Sequence, residues 1–368
     1  MTKKVGRKIY INKDVYTAAK ERISTIFDDF ENIVCSLSGG KDSTVMLYLA
    51  LEEAEKRNRK VNVFFLDQEA EYQSTIDMIE YFMSNPNVIP HWYQVPCYMT
   101  NSTSYKQDLL YSWGPGEKWI REKSTISIHE IEGEYPQRFY SFIDWFEKQW
   151  NPNTTCFMVG LRAEESLNRF RAVAQNPGYK DWNWTTNTDG LIKAYPLYDW
   201  TFEDIWIYLS KFNKKYNKIY DFMYAIGYDI DGMRVSNLIH EKSFKCLTRL
   251  PEFEPDTYNK LMDRIGGIHI AARYAKQDTI YNVKELPKRF KTWLEYRNFL
   301  LETTPLDKKE RFIKRFATQP EEEITYKGQC KQILLNDWEN NIPVVTKTEV
   351  KRRKEKKKKT LEKWKEIL

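Results

Sequence analysis

Residues 34–44 read VCSLSGGKDST: a short apolar run, two consecutive glycines, a lysine and an aspartate, then a long segment with helical apolar spacing. This order constrains the fold more than any other stretch. Paired glycines after a strand admit backbone angles other residues resist and let main-chain N–H groups close on an anion. The helix that follows adds its free amides and the positive end of its dipole. Lys41 brings a full charge, and the hydroxyls of Ser38 and Ser43 can donate to phosphate oxygens. With Gly39, Gly40 and Asp42 these residues make a loop suited to phosphate. The bland alternative is a strand-to-helix turn capped by Asp42. No G-x-x-x-x-G-K-[ST] occurs in the chain, so this is not the common nucleotide-triphosphatase loop.

The flanking pattern repeats. An N-terminal helix is expected over 14–30, then a buried strand over 33–38 and a helix from Thr44 with charge gathered at its end. KVNVFFLD (60–67) reads as the next strand, with Asp67 at its carboxyl end, and 71–85 as a helix stopped before Pro86. IPHWYQVP (89–96) and TTCFMVG (154–160) complete the strand set, the latter ending in Gly160. Such alternation predicts an α/β fold with a doubly wound, mostly parallel sheet, followed by a mainly helical C-terminal region. Ligands of such sheets bind at the carboxyl ends of the strands, where Ser38, Asp67 and Gly160 would lie. Residues 97–150, rich in Trp, Tyr, Gly and Pro, are assigned helices and a loop at SWGPGEKW. That loop is either a packed turn or a lid walled by Trp113 and Trp119. The expected division is an N-terminal helical segment (1–30), a nucleotide-binding domain (31–225), a helical domain (226–345) and a basic tail (346–368).

Composition excludes several classes. No apolar run is long enough to cross a bilayer, and MTKKVGRKIY lacks the apolar centre of a secretion signal, so a cytoplasmic protein without a membrane partner is expected. The five cysteines, Cys35, Cys97, Cys156, Cys246 and Cys330, are far apart and form no C-x-x-C pair. Neither a disulfide framework nor a zinc site follows from them. The net charge of +6 is local: residues 347–368 hold eleven Lys or Arg against four Glu, which leaves the body nearly neutral.

SGGKDS resembles the PP-loop of the adenine-nucleotide alpha hydrolases, which include ATP pyrophosphatases, the small subunit of bacterial ATP sulfurylase and phosphoadenylyl-sulfate (PAPS) reductases. GLRAEES (160–166) and PLYDWTFEDIWIYL (196–209) resemble two further segments of the PAPS reductase and sulfurylase branch. The resemblance implies an adenine nucleotide, ATP or PAPS, with Mg²⁺, and cleavage of ATP between its alpha and beta phosphates. It makes Lys41, Arg162 and Glu165 the catalytic candidates. Arg162 would contact an oxyanion, since its fork of donors matches sulfate or phosphate. Glu165 would orient Arg162 or a metal-bound water. Ser38, Gly39, Gly40, Lys41, Asp42, Ser43, Asp67, Gly160 and Arg162 would bind the nucleotide, with Asp67 also the candidate Mg²⁺ ligand. In DWTFEDIW, Thr201 and Asp204 stand at capping-box spacing and Trp206 would fill core, while Asp199 and Trp200 would border the nucleotide or serve as scaffold.

PAPS reductases carry a cysteine in a C-terminal E-C-G-x-H segment that this chain lacks, which favours ATP cleavage, with sulfate or another oxyanion as acceptor. Two alternatives stay open: a PAPS-reductase-like enzyme using Cys246 or a partner's thiol, and a non-catalytic nucleotide sensor. An iron–sulfur cluster would want four clustered cysteines, and none is expected. Residues 228–261, with GGIHIAARYA further on, resemble the domain of unknown function DUF3440 of the immunoglobulin-binding regulator A proteins. That resemblance implies a ParB-like protein partner. Arg234, Asn237 and His240 recur at helical spacing and would line a substrate pocket or a solvated helix face; His269 reads as a core histidine. The tail 347–368 would contact nucleic acid, dock a partner or act as a solubilising segment.

Overall fold

The computed structural model describes residues 11–103, 109–174, 178–228, 232–240, 243–266, 285–335, 337, 344, 346–348 and 350–351. Two compact units emerge. The first takes in the described chain through Met99, Leu109–Leu238 and Leu250–Arg264; the second takes the stretches between and the chain from Ile265 onward. The first unit includes the N-terminal helix over Val15–Asp29. His269 and nearly all of the basic tail lie outside the described residues.

The first unit is built on a six-stranded sheet in the order β3-β2-β1-β6-β8-β7. Its strands are β1 (Asn32–Ser36), β2 (Val61–Leu66), β3 (Val88–Tyr93), β6 (Thr155–Val159), β7 (Thr185–Thr188) and β8 (Leu191–Ala194). All neighbours are parallel except β7, which runs against β8. Between β3 and β6 the chain forms a separate two-stranded sheet, β4 (Cys97–Thr100) with β5 (Leu109–Ser112), then helix α4 (Phe139–Glu147). The expected helices over 97–150 are therefore largely replaced by strands and loop; β4 and β5 alternate buried with more exposed positions, which suits a pleated surface.

Side-chain alternation sorts the sheet into two faces. Ile33, Cys35, Val63 and Met158 pack with helices α1 (Val15–Asp29), α2 (Lys41–Lys56) and α3 (Gln73–Met83). Val34, Phe64, Leu66 and Phe157 pack on the opposite face against Phe142 and Phe146 of α4. β2 is buried at all six positions, as expected of an inner parallel strand covered on both sides. α2 is buried nearly all round, from Ser43 through Ala54, because it lies under α1 and against α6 (Phe202–Lys211).

The remaining elements of this unit are short: α5 (Leu167–Ala174), α7 (Ile219–Ala225) and α9 (Pro255–Arg264). The second unit holds α8 (Phe244–Leu247) and three longer helices, α10 (Trp293–Thr303), α11 (Leu306–Phe316) and α12 (Glu323–Leu334). Their core is Leu300, Leu301, Phe312, Phe316, Cys330 and Ile333, the helical bundle expected of the C-terminal region.

Strand order reverses between β1 and β6: the chain moves outward from β1 through β2 to β3, then returns to β6 on the other side. This is the switch point at which open parallel sheets form a crevice. The SGGKDS loop leaves β1 there, and Gly160 leaves β6 beside it.

Candidate functional site

Helix α2 starts without a side-chain cap. Gly40 is its N-cap residue, in an extended conformation, and Asp42 lies in the first turn. The capping role considered for Asp42 is not the one it takes. Gly39 has a φ of +67°, and a Cβ there would stand 2.7 Å from Thr75 Cγ2, so both the turn and the close approach of α3 require glycine. The loop is braced internally by its serines. Ser38 N donates to Ser43 Oγ (3.2 Å), Gly40 N to Ser38 Oγ (3.3 Å), and Ser43 Oγ to Gly40 O (3.1 Å).

Gly160 has an ordinary φ but no room. A Cβ on it would come within 2.6 Å of Ser43 N and 2.8 Å of Asp42 C. β6 therefore packs its end directly on the first turn of α2, and backbone atoms cannot yield as a flexible side chain would. Gly160→Ala is expected to destabilise the first unit by about 1–3 kcal/mol, the usual cost of overpacking. It should also weaken nucleotide binding; urea unfolding and nucleotide titration would read the two effects.

Lys41 is 3% exposed. Its Nζ lies 3.2 Å from Asp42 Oδ2 and donates to Met233 O at 3.2 Å, with the rings of Phe202 and Tyr220 each 5.3 Å away. Burial pulls its pKa below the ordinary lysine value, and the Asp42 charge acts in the opposite sense. The Lys41 amide donates to the Tyr220 hydroxyl at 3.0 Å. Asn217, also buried, donates to Gly39 O (3.0 Å) and Thr75 Oγ1 (2.8 Å). Neither Asn217 nor Tyr220 stands out in the sequence, where the chain from Thr201 onward reads as mainly helical. A turn at Asn213, whose φ is +45°, separates two helices there and delivers both side chains to the loop.

Arg162 sits behind the loop rather than at its surface. It is 4% exposed, donates through Nε to Asp42, and reaches Glu164 at 3.2 Å. Glu164 in turn accepts from Phe202 N at 3.1 Å. The capping box is present as its spacing suggested: Thr201 N donates to Asp204 Oδ2 (2.8 Å) and Asp204 N to Thr201 Oγ1 (3.1 Å). A chain of contacts thus runs from the start of α6 through Glu164 and Arg162 to Asp42. Asp199 and Trp200 are scaffold: Asp199 accepts two bonds from Arg22 of α1, and Trp200 Nε1 donates to Val15 O. Trp206 is half-buried between Tyr216 and Tyr220.

Glu165, expected to orient Arg162, pairs instead with Arg169 and with Arg234, whose NH1 lies 3.5 Å from Glu165 Oε1. Arg234 NH2 also donates to the Glu165 carbonyl at 2.8 Å. Ser38, Gly40, Lys41, Asp42 and Ser43 line a cavity of about 80 Å³, closed opposite by Glu165, Arg169 and Arg234. Gly160, Tyr220 and Val235 complete its wall. Arg169 has no counterpart among the sequence candidates, although it lies only four residues past Glu165.

Arg234 reaches the cavity from a non-helical segment, not from the expected helix. Asn237 does not join it and donates to Glu71 Oε1 at 3.1 Å, while His240 belongs to the second unit.

Asp67 is wholly buried and accepts from Glu69 N, Trp92 Nε1 and Gln94 Nε2, with Arg121 as its ion partner. Both its oxygens are engaged in this network, and Asp67 is not among the residues lining the cavity at the loop. Among the described residues, no group of three or more His, Cys, Asp or Glu side chains converges as a metal-holding cluster. Trp113, considered as a lid wall, is buried and donates to Asp67 O at 2.7 Å.

Glu71 lies beside this network. Burial, with the Asp67 charge second, pushes its carboxyl up to about 7. The folded state then holds a proton that the unfolded state has lost, so stability falls as pH rises from about 4.5 through 7. Glu71→Gln should be more stable than wild type above pH 7, with the gain shrinking toward pH 5. Urea midpoints across that range test it; a constant difference would refute it.

All five cysteines are buried. Burial raises the thiols of Cys35 and Cys156, and pushes those of Cys97 and Cys330 up to about 12. No helix among the described residues is long and apolar enough to cross a membrane.

Comparison with known proteins agrees with this architecture. YbdN of Escherichia coli, an uncharacterized protein, is 29% identical over 328 residues, covering 84% of this chain and 80% of that protein. Adenosine 5'-phosphosulfate reductase 2 of Bacillus subtilis is 26% identical over 200 residues, covering 54% of this chain and 71% of the reductase. Among solved structures, the phosphate complex of Candida auris phosphoadenylyl-sulfate (PAPS) reductase aligns at 12% identity with a TM-score of 0.35, over 63% of this chain and 98% of that one. The domain of unknown function DUF3440 matches residues 227–367. The phosphoadenosine phosphosulfate reductase domain matches residues 32–270, and the chain belongs to that family.

Proposed function

We propose that this protein binds ATP, as its magnesium complex, on the SGGKDS loop and cleaves it between the alpha and beta phosphates, with sulfate or a similar oxyanion as acceptor. The acceptor oxygen bonds to the alpha phosphorus while the bond from that phosphorus to the bridging oxygen breaks and pyrophosphate leaves. The observation that carries this reading is the cavity at the β1/β6 switch point, where the uncapped start of α2 and Lys41 face Arg169 and Arg234. Amides at a helix start and a desolvated lysine stabilise the charge that accumulates on departing pyrophosphate. Arg162 serves this chemistry indirectly, by fixing Asp42 and with it the first turn of α2.

Mg²⁺ enters in this reading as part of the nucleotide complex. Direct reduction of a sulfonucleotide needs an accessible thiolate, and the five buried cysteines argue against one supplied by this chain. The test is pyrophosphate release from Mg-ATP with and without sulfate, alongside sulfite release from PAPS with a thiol reductant. Pyrophosphate without sulfite is the expected result; sulfite without pyrophosphate would replace the proposal with the reductase reading.

A further inference from the structure

Residues 211–218 read KFNKKYNK, four lysines in eight positions, and no acidic residue stands between Asp204 and Asp221. The stretch runs from the last residue of α6 through the turn at Asn213 to Lys218, just before α7. Aromatic rings from three other helices interleave with these lysines. Lys215 Nζ lies 4.5 Å from the centre of the Tyr81 ring on α3, and Lys214 Nζ 5.0 Å from that of Tyr48 on α2. Lys211 Nζ lies 5.8 Å from the ring of Phe212, which packs at 5.3 Å on Tyr16 of α1. Lys20, one turn further along α1, covers the Tyr16 ring at 5.1 Å. Glu52 joins the two halves: it accepts from Tyr208, a neighbour of Phe212, and pairs with Lys214 at 3.1 Å.

Glu52 offsets Lys214 alone. Among the described residues, Lys20, Lys211, Lys215 and Lys218 make no ion pair, so this surface keeps an excess of positive charge on a nearly neutral body. The rings are only partly covered: Tyr81 and Phe212 keep 44% and 39% of their surface exposed. Each ring contact restrains an ammonium before a partner arrives, which lowers the ordering cost of binding. None of these residues lines the cavity at the SGGKDS loop. Cations that follow a phosphodiester chain, alternating with rings on which bases stack, make surfaces that hold single strands regardless of sequence. An acidic peptide would satisfy the charge and leave both exposed rings without a stacking partner.

We propose that the surface formed by α1, α3 and the turn between α6 and α7 binds single-stranded nucleic acid, its lysines on the phosphates and Tyr81 and Phe212 under the bases. Asn217, which donates to Gly39 O, stands two residues past Lys215, so the strand site adjoins the support of the loop without sharing its cavity. Binding here does not require ATP cleavage.

The experiment is fluorescence anisotropy of the full chain with a labelled oligouridylate of about twelve nucleotides, within the span of one such site, across a salt series. The variants are Lys211→Gln combined with Lys215→Gln, and separately Tyr81→Leu and Phe212→Leu, each with its urea midpoint and ATP affinity measured. The lysine pair should lose on the order of tenfold in affinity and flatten the slope of log K against log salt by about 1.4, the share of two phosphate contacts on a single strand. Each ring variant should lose on the order of tenfold at an unchanged slope, the signature of lost stacking. All should unfold cooperatively and bind ATP as wild type does. Every variant retains the basic tail 347–368, so a loss belongs to this surface and not to the tail. Wild-type protein that binds no oligonucleotide, or a lysine variant that binds as wild type does, would overturn the proposal. Ring variants that bind normally would also overturn it; polyglutamate competing as well as unlabelled oligouridylate would then identify an acidic protein partner.

Discussion

Lys41→Ala is expected to reduce ATP turnover roughly 10²–10³-fold, the loss seen when one preorganised donor to a developing anion is removed. Its effect on stability should be small, within about 1–2 kcal/mol. The ammonium is desolvated, and burial already pulls its pKa down, so its charge is costly to keep in place. Removing it does not leave Asp42 uncompensated, because Arg162 still donates to that carboxylate. A large catalytic loss with a near-normal urea midpoint therefore separates function from folding. Lys41→Arg sharpens the test, since a guanidinium keeps the charge but does not fit the slot between Phe202 and Tyr220. It should also be impaired. An alanine variant with full turnover would remove the loop lysine from the mechanism.

The second large effect lies away from the cavity. Arg121→Met should destabilise the first unit by about 3–5 kcal/mol, because it strips the ion partner from a fully buried carboxylate. Asp67 would keep its bonds from Glu69 N, Trp92 and Gln94, which places the expected cost toward the lower end of that range. Nucleotide affinity per folded molecule should not change. Urea unfolding gives the first quantity and calorimetry the second. A stability loss under 1 kcal/mol, or a folded variant that no longer binds nucleotide, would return Asp67 to the binding site.

The contrast between these residues explains what the sequence could reveal. The strand, paired glycines and helix around SGGKDS are contiguous, so their backbone logic is visible in eleven letters, and β1, β2, β3 and β6 fall close to their expected positions. Asp67 is different. Its placement at a strand end suggested a ligand contact, but its partner Arg121 is 54 residues away, and no local pattern announces that pairing. The same holds for Arg162, whose chemistry fits an oxyanion yet whose geometry is set by Asp42, 120 residues earlier.

Periodicity misled where tertiary contacts cut across it. Arg234 and Asn237 stand at helical spacing in a non-helical segment, and they end on different partners, Glu165 and Glu71. Residues 202–227 read as mainly helical, and the turn at Asn213 between the two helices there brings Asn217 and Tyr220 to the loop. Over 97–150, aromatic residues that pack as strands and turns were read as helix. Arg169 was in plain view after GLRAEES, yet only the shared contact to Glu165 marks it as part of the site.

The most direct test of the account follows the alpha phosphate itself. Purified protein is incubated with Mg²⁺ and alpha-labelled ATP, with and without sulfate, and the labelled product is identified, with Lys41→Ala as the control. The account predicts label in AMP or an adenylyl ester, with pyrophosphate released and both lost in the variant. Label in ADP, or intact ATP held tightly without turnover, would contradict cleavage between the alpha and beta phosphates.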